Sequence, residues 1–154
     1  MNVQDVCDYI IRSMTEAGES PSILKVQKLL YYCQSWHLAF ESTPLFNGNF
    51  QAWVRGPVSR DVYDRFIGKT MFASLGEGDI RMTFDATQIP KPARLLIDQV
   101  LEVYGKYSDT QLAELTHREK PWIEARGNLP AQARCTQVIS ETTMQATYAA
   151  RIER

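Results

Sequence analysis

The sequence has only two histidines, His37 and His117, and three cysteines, Cys7, Cys33 and Cys135, with no CxxC pair among its 154 residues. A closed zinc site needs four such ligands brought together, and these five are scattered with no CxxC, so no metal site is expected. An odd, scattered set of thiols also argues against the disulfide framework of a small secreted domain. No apolar run approaches the ~20 residues that span a bilayer. The N-terminal Met-Asn-Val-Gln-Asp has neither the basic nor the apolar region of a signal peptide. The expected location is the cytoplasm, with no membrane partner. Neither GxxxxGK[ST] nor GxGxxG occurs, which removes the phosphate-cradling loops. No catalytic set and no cofactor pattern stands out.

An excess of charge of one sign is missing as well. Seventeen Lys and Arg face eighteen Asp and Glu, for a net charge of −1. Phosphate binding needs a concentration of cations, and no helix-turn-helix, zinc-finger or RNP motif is present, so a nucleic-acid partner is not expected. Local charge is uneven. Asp5, Asp8, Glu16 and Glu19 face Arg12 alone near the start. Arg55, Arg60, Arg65 and Lys69 make the middle basic, with Asp61 and Asp64 interleaved as on a solvated helix face. At 44% hydrophobic and 23% charged residues, the chain has the usual globular mix. Its length suits a single domain over residues 1–154 with its own core.

Periodicity predicts a mainly α domain, compact and helical, with a small two-stranded β element. Val3, Val6, Cys7, Ile10 and Met14 predict a helix over about 2–17, stopped at Gly18. Ser20-Pro21 opens a second helix to about Glu41. Val26, Leu29, Leu30, Cys33, Trp36, His37 and Phe40 form its stripe, while Lys25, Lys28 and Ser35 fall largely elsewhere. Tyr31 and Tyr32 widen the apolar band, so this helix is expected to be central. Phe50, Ala52 and Val54 alternate with Gln51, Trp53 and Arg55 as a strand does, and Ile80, Met82 and Phe84 predict its partner. Pro57 is placed to open a helix to about Lys69, and Pro90-Lys-Pro92 one to about Tyr107. Ser108 with Gln111 fits a capping box. Pro121 starts a short helix with Trp122, and Ser140 caps a last one.

Cys33 and His37 share a helix face, yet both sit in the apolar stripe, where a buried thiol is a weak nucleophile. Thr116-His117 lies at a break between helices, where hydroxyl and imidazole can satisfy backbone groups while Trp122 anchors the turn. Trp53 and Arg55 face opposite to Ala52 and Val54, so Trp53 is either a surface anchor or packs beneath the next helix. Arg and Trp are enriched at interface hot spots, which makes Trp53, Arg55, Arg118 and Trp122 the candidate partner-binding residues. A second functional class, a small enzyme or nucleotide-binding protein, requires His37, His117 and Glu119 to share a cleft.

One ordered combination is more specific than any of its pieces. It comprises Lys28-Leu-Leu-Tyr31 followed by Trp36-His37, then Ala52-Trp53, Gly56-Pro57-Val58, Val62-Tyr63, Leu115-Thr116-His117 and Pro121-Trp122. This combination resembles the Panacea-domain family, phage-associated proteins that include Soc-type antitoxins, with Val26 in place of the usual Leu. The resemblance covers about residues 20–126. It implies an antitoxin that binds a cognate toxin protein and uses no cofactor. In one branch of the family the toxin is delivered to an ATP-dependent protease. It transfers no catalytic residue. The segments outside the shared motifs (70–79, 127–136 and the last helix) are the expected variable, toxin-contacting surface.

Overall fold

The computed structural model describes residues 1–152. Helix α1, Val3–Glu16, begins where the Asn2 side chain accepts the Gln4 N–H. It ends before Gly18, whose φ of +82° suits a residue without Cβ. Helix α2, Ile23–Glu41, is capped by Ser22, whose hydroxyl accepts the Lys25 N–H. The two preceding free amides, Ile23 and Leu24, donate to the carbonyls of Ala73 and Met71. The segment around residues 71–75 therefore completes the start of the central helix.

Helix α2 is buried almost all round. Lys28 and Ser35, which the spacing set off the stripe, are fully buried, and Phe40, which it set on the stripe, is 56% exposed. The reason is that other elements surround α2, so its polar residues must find buried partners. Gln34 accepts the Leu45 and Phe46 amides and donates to the Phe46 carbonyl. Gln27 exchanges both bonds with the Ser59 backbone. These side chains fasten the loops on either side of the hairpin to the helix.

Strands β1, Gln51–Trp53, and β2, Gly56–Val58, form a two-stranded antiparallel hairpin with Ala52 opposite Pro57. The expected partner strand at Ile80–Phe84 does not form. The Phe84 N–H closes a turn on the Arg81 carbonyl, and Arg81 is drawn to Asp5 and Asp8 of α1. Pro57 lies within β2 rather than opening a helix, which suits an edge strand that needs no donor there. The following helix, α3, Arg60–Arg65, is capped by Ser59 instead. The other edge of β1 is taken by residues 137–139, through Ala52 N–H to Gln137 and Ile139 N–H to Phe50.

Helices α4, Lys91–Tyr104, and α5, Asp109–His117, follow, the latter opened by the Ser108–Gln111 capping box. Helices α6, Lys120–Arg126, and α7, Glu141–Ile152, complete the described chain. The last helix, expected to be variable surface, buries Met144 and Tyr148 in the core. The Tyr148 hydroxyl donates to Glu119, as does that of Tyr32, and Arg151 of α7 donates to the same carboxylate. Asp8, fully buried on α1, pairs with both Arg65 and Arg81. The acidic start and part of the basic middle thus neutralise each other.

Candidate partner-binding cleft

The hairpin sits over a buried cation. Lys28 is fully buried, and its Nζ donates to the Pro57 carbonyl at 2.8 Å. Burial lowers its pKa to about 7. Gly56 adopts φ +107°, and a Cβ there would stand 2.6 Å from Lys28 Cε and 2.7 Å from Thr116 Oγ1. The glycine is required both by backbone geometry and by close approach. Thr116 turns its hydroxyl onto the Ala113 carbonyl, as expected at a helix end. His117 lies with its ring 4.3 Å from that of Trp122. Its pKa is lowered, chiefly by burial, and the Val54 backbone opposes that shift. Trp122 is itself buried and donates its indole N–H to the Trp53 carbonyl at 2.8 Å. It anchors the hairpin from beneath and does not face solvent as an interface residue would.

Of the motif residues on α2, Lys28 and Tyr31 are fully buried, while Trp36 and His37 are half-buried. The Trp36 indole donates to the Tyr104 hydroxyl, and His37 Nδ1 lies 2.6 Å from the Thr43 carbonyl. His37 lines a cleft with Phe40, Glu41 and Pro92. An adjoining apolar groove runs between α2 and α4 along Trp36, Leu96, Val100 and Val103. Glu119 is engaged by two tyrosines and an arginine. None of the clefts described here brings together any two of His37, His117 and Glu119. Cys7, Cys33 and Cys135 are buried free thiols, and burial raises the pKa of Cys33. Among the described residues, no three His, Cys, Asp or Glu side chains form a cluster able to hold a metal. No described helix is long and apolar enough to cross a membrane.

On the outer side of the hairpin lies a cleft of about 380 Å³. Trp53 and Tyr63 form its aromatic part, edge to face with ring centroids 4.9 Å apart. Trp53 thus meets the helix that follows the hairpin, yet it stays partly exposed and lines the opening. Arg55 stands at one side, its guanidinium 4.8 Å from the Phe72 ring centroid. Met71 lies near it, and Arg134, Cys135 and Thr136 form the opposite wall. Arg118 is exposed but lines none of these clefts.

Both walls are tied down. Met71 is held through its carbonyl, which accepts the Leu24 N–H. The opposite wall is pinned after Thr136 by the pairing of 137–139 with β1. Before it, Arg126 is 4% exposed and donates to the carbonyls of Ala52, Pro130, Ala131 and Ala133. Neither Arg126 nor Arg134 stood out in the sequence. A cation in the last turn of a helix, just before Gly127, was the available signal for Arg126.

A family model described as "Antitoxin SocA-like, Panacea domain" matches residues 26–123. One wall of the cleft, with Trp53, Arg55, Tyr63 and Met71, lies inside that span, and Arg134–Thr136 lies outside it. The chain is 32% identical over 108 residues to the antitoxin SocA of Caulobacter vibrioides (strain NA1000 / CB15N). That alignment covers 66% of this chain and 57% of the relative, so the chain spans little more than half of that protein's length. No solved structure matches the chain. With the family model covering well over half of its residues, the chain belongs to the SocA-like antitoxin, Panacea-domain family.

Proposed function

We propose that this protein is the antitoxin of a toxin–antitoxin pair and neutralises its cognate toxin by direct protein–protein contact at the Trp53–Arg134 cleft. The observation that carries this reading is the composition of the cleft. A wall from the family scaffold, rigidified from beneath by Lys28, Thr116 and Trp122, faces a wall from outside the family span. Such a site keeps one architecture while its specificity varies between members. Its partly exposed Trp and its arginines are the residue types that dominate interface energetics. Binding alone then suffices, since occluding a toxin requires no bond-making.

The test is co-expression with the product of the adjacent reading frame. If that product alone arrests growth, wild-type protein should restore growth and co-purify with it. Trp53→Ala and Arg134→Glu should lose both effects with the fold retained, Arg134→Glu at an unchanged thermal midpoint. Loss of the toxin in a normal host, with its recovery in a host lacking ATP-dependent proteases, would place the protein as a delivery adaptor in addition. Full rescue by both variants would remove the cleft from the mechanism. Absence of toxicity and binding would remove the antitoxin reading.

A further inference from the structure

We propose that the cleft selects an acidic segment of the partner that carries an apolar side chain at its centre. The inference rests on the reading of this cleft as the toxin-binding surface and adds the chemistry it recognises.

The charge pattern points there. Of the basic residues in the middle of the chain, Arg60 pairs with Asp64, Arg65 with Asp8 and Lys69 with Asp79. Arg55 pairs with no carboxylate among the described residues, and neither does Arg134 across the cleft. These are the two cations that line the cleft, and no acidic side chain lines it. Phe72 meets the Arg55 guanidinium at 4.8 Å. A guanidinium attracted to an aromatic ring in this way makes no hydrogen bond to it, so its N–H groups are left for a carboxylate. Each such pair is a charge-assisted hydrogen bond with bidentate geometry available.

Apart from Thr136, the remaining lining is apolar or aromatic and includes Trp53, Val58, Tyr63, Met71 and Cys135. It would bury an aliphatic or aromatic side chain and strengthen the flanking ion pairs by lowering the local dielectric. A basic segment would meet two like charges with nothing to offset them.

The full-length protein is titrated with a fluorescein-labelled peptide that has one leucine between two glutamate pairs. Controls carry lysine for each glutamate, or alanine for the leucine. An oligothymidylate serves as a competing anion. The acidic peptide should bind saturably and weaken as salt rises, and the lysine peptide should not bind. Arg55→Glu and Arg134→Glu should each weaken binding roughly tenfold, and the leucine-to-alanine peptide by a similar factor. Should Arg55→Glu disturb the Phe72 loop, Arg134→Ala reads the same charge from the opposite wall.

Equal affinity for the lysine peptide, or unchanged binding by the Arg55→Glu, Arg134→Glu double variant, would overturn the proposal. So would tighter binding of the oligothymidylate, or no binding of the acidic peptide. Growth rescue separates the two readings. Rescue retained by the double variant but lost by Trp53→Ala overturns the acidic-segment inference alone. Failure of rescue by wild type overturns the antitoxin reading, while the peptide titration still decides the chemistry of the cleft.

Discussion

Lys28 Nζ and the Pro57 carbonyl, 2.8 Å apart, join the centre of α2 to the edge strand of the hairpin, and no carboxylate accompanies them among the described residues. A fully buried ammonium held by one carbonyl is poorly compensated for its lost hydration. Its folded pKa of about 7 expresses that deficit against the ordinary value of 10.5.

Stability should therefore depend on pH through Lys28. Between about 7 and 10.5 the unfolded chain keeps the proton and the folded chain releases it. Stability must rise with pH across that window. Cys7, pushed up to about 12 by burial, acts oppositely once the pH passes its ordinary 9.0, so the informative range ends near there. Urea denaturation of wild type and Lys28→Met isolates the lysine. Wild type should gain about 2–3 kcal/mol on the variant between pH ~7 and ~9. A constant difference would show that the amine titrates as it does in water.

Gly56→Ala should be more damaging than Gly18→Ala. Both glycines have positive φ, but nothing lies within 4 Å of a Cβ at Gly18, whereas one at Gly56 meets Lys28 and Thr116 below 3.0 Å. The backbone term costs about 1–2 kcal/mol at either site. Overpacking adds about 1–3 kcal/mol at Gly56 alone. Chemical denaturation midpoints measure the difference. Equal losses would mean that Lys28 swings aside without cost.

The part of the fold legible in the sequence was the part encoded locally. Ser108 with Gln111, Ser140 ahead of α7, and Gly18 after α1 act through neighbours a few residues away. Helix spacing failed on Lys28, Ser35 and Phe40 because a helix surrounded on nearly all sides has no single buried face to reveal. The alternation at Ile80–Phe84 resembled a strand, but Arg81 is committed to Asp5 and Asp8, more than 70 residues away, and the backbone turns there. In the cleft, residue type and strand alternation point to Trp53 and Arg55 as partner-binding candidates. That Arg55 is the middle cation left without a carboxylate depended on Arg65 reaching Asp8, which no local spacing contains. Trp122 carried the same hot-spot signature as Trp53 and proved to be its support.

The Tyr32–Glu119–Tyr148 triangle should behave as one unit. Both phenols donate to Glu119 Oε1 at 2.8 Å, and burial, reinforced by the carboxylate, holds both pKa values above the usual tyrosine value. Protonated phenols are thus always available as donors. Tyr148→Phe should cost about 1 kcal/mol, and Glu119→Gln about 1–3 kcal/mol because it also weakens the Arg151 contact. The double variant should lose less than the sum, with a coupling of about 0.5–2 kcal/mol in a double-mutant cycle. Additive losses would mean that the two groups act independently.

Arg126 should control the cleft without lining it. Its guanidinium donates to the carbonyls of Pro130, Ala131 and Ala133, which lead directly into the Arg134–Thr136 wall, and to that of Ala52 on β1. Acceptors divided between two terminal nitrogens, Ala52 on Nη1 and the three loop carbonyls sharing Nη2, match arginine and not lysine, whose compact ammonium serves fewer directions. Arg126→Lys should therefore cost about 2–3 kcal/mol despite keeping the charge. Limited proteolysis should open first between Gly127 and Arg134. Binding at the cleft should weaken together with that opening, whereas Arg134→Ala weakens it with the loop still protected. If Arg126→Lys left the loop protected and the affinity unchanged, the position of the wall would be set by the pairing of residues 137–139 with β1 alone.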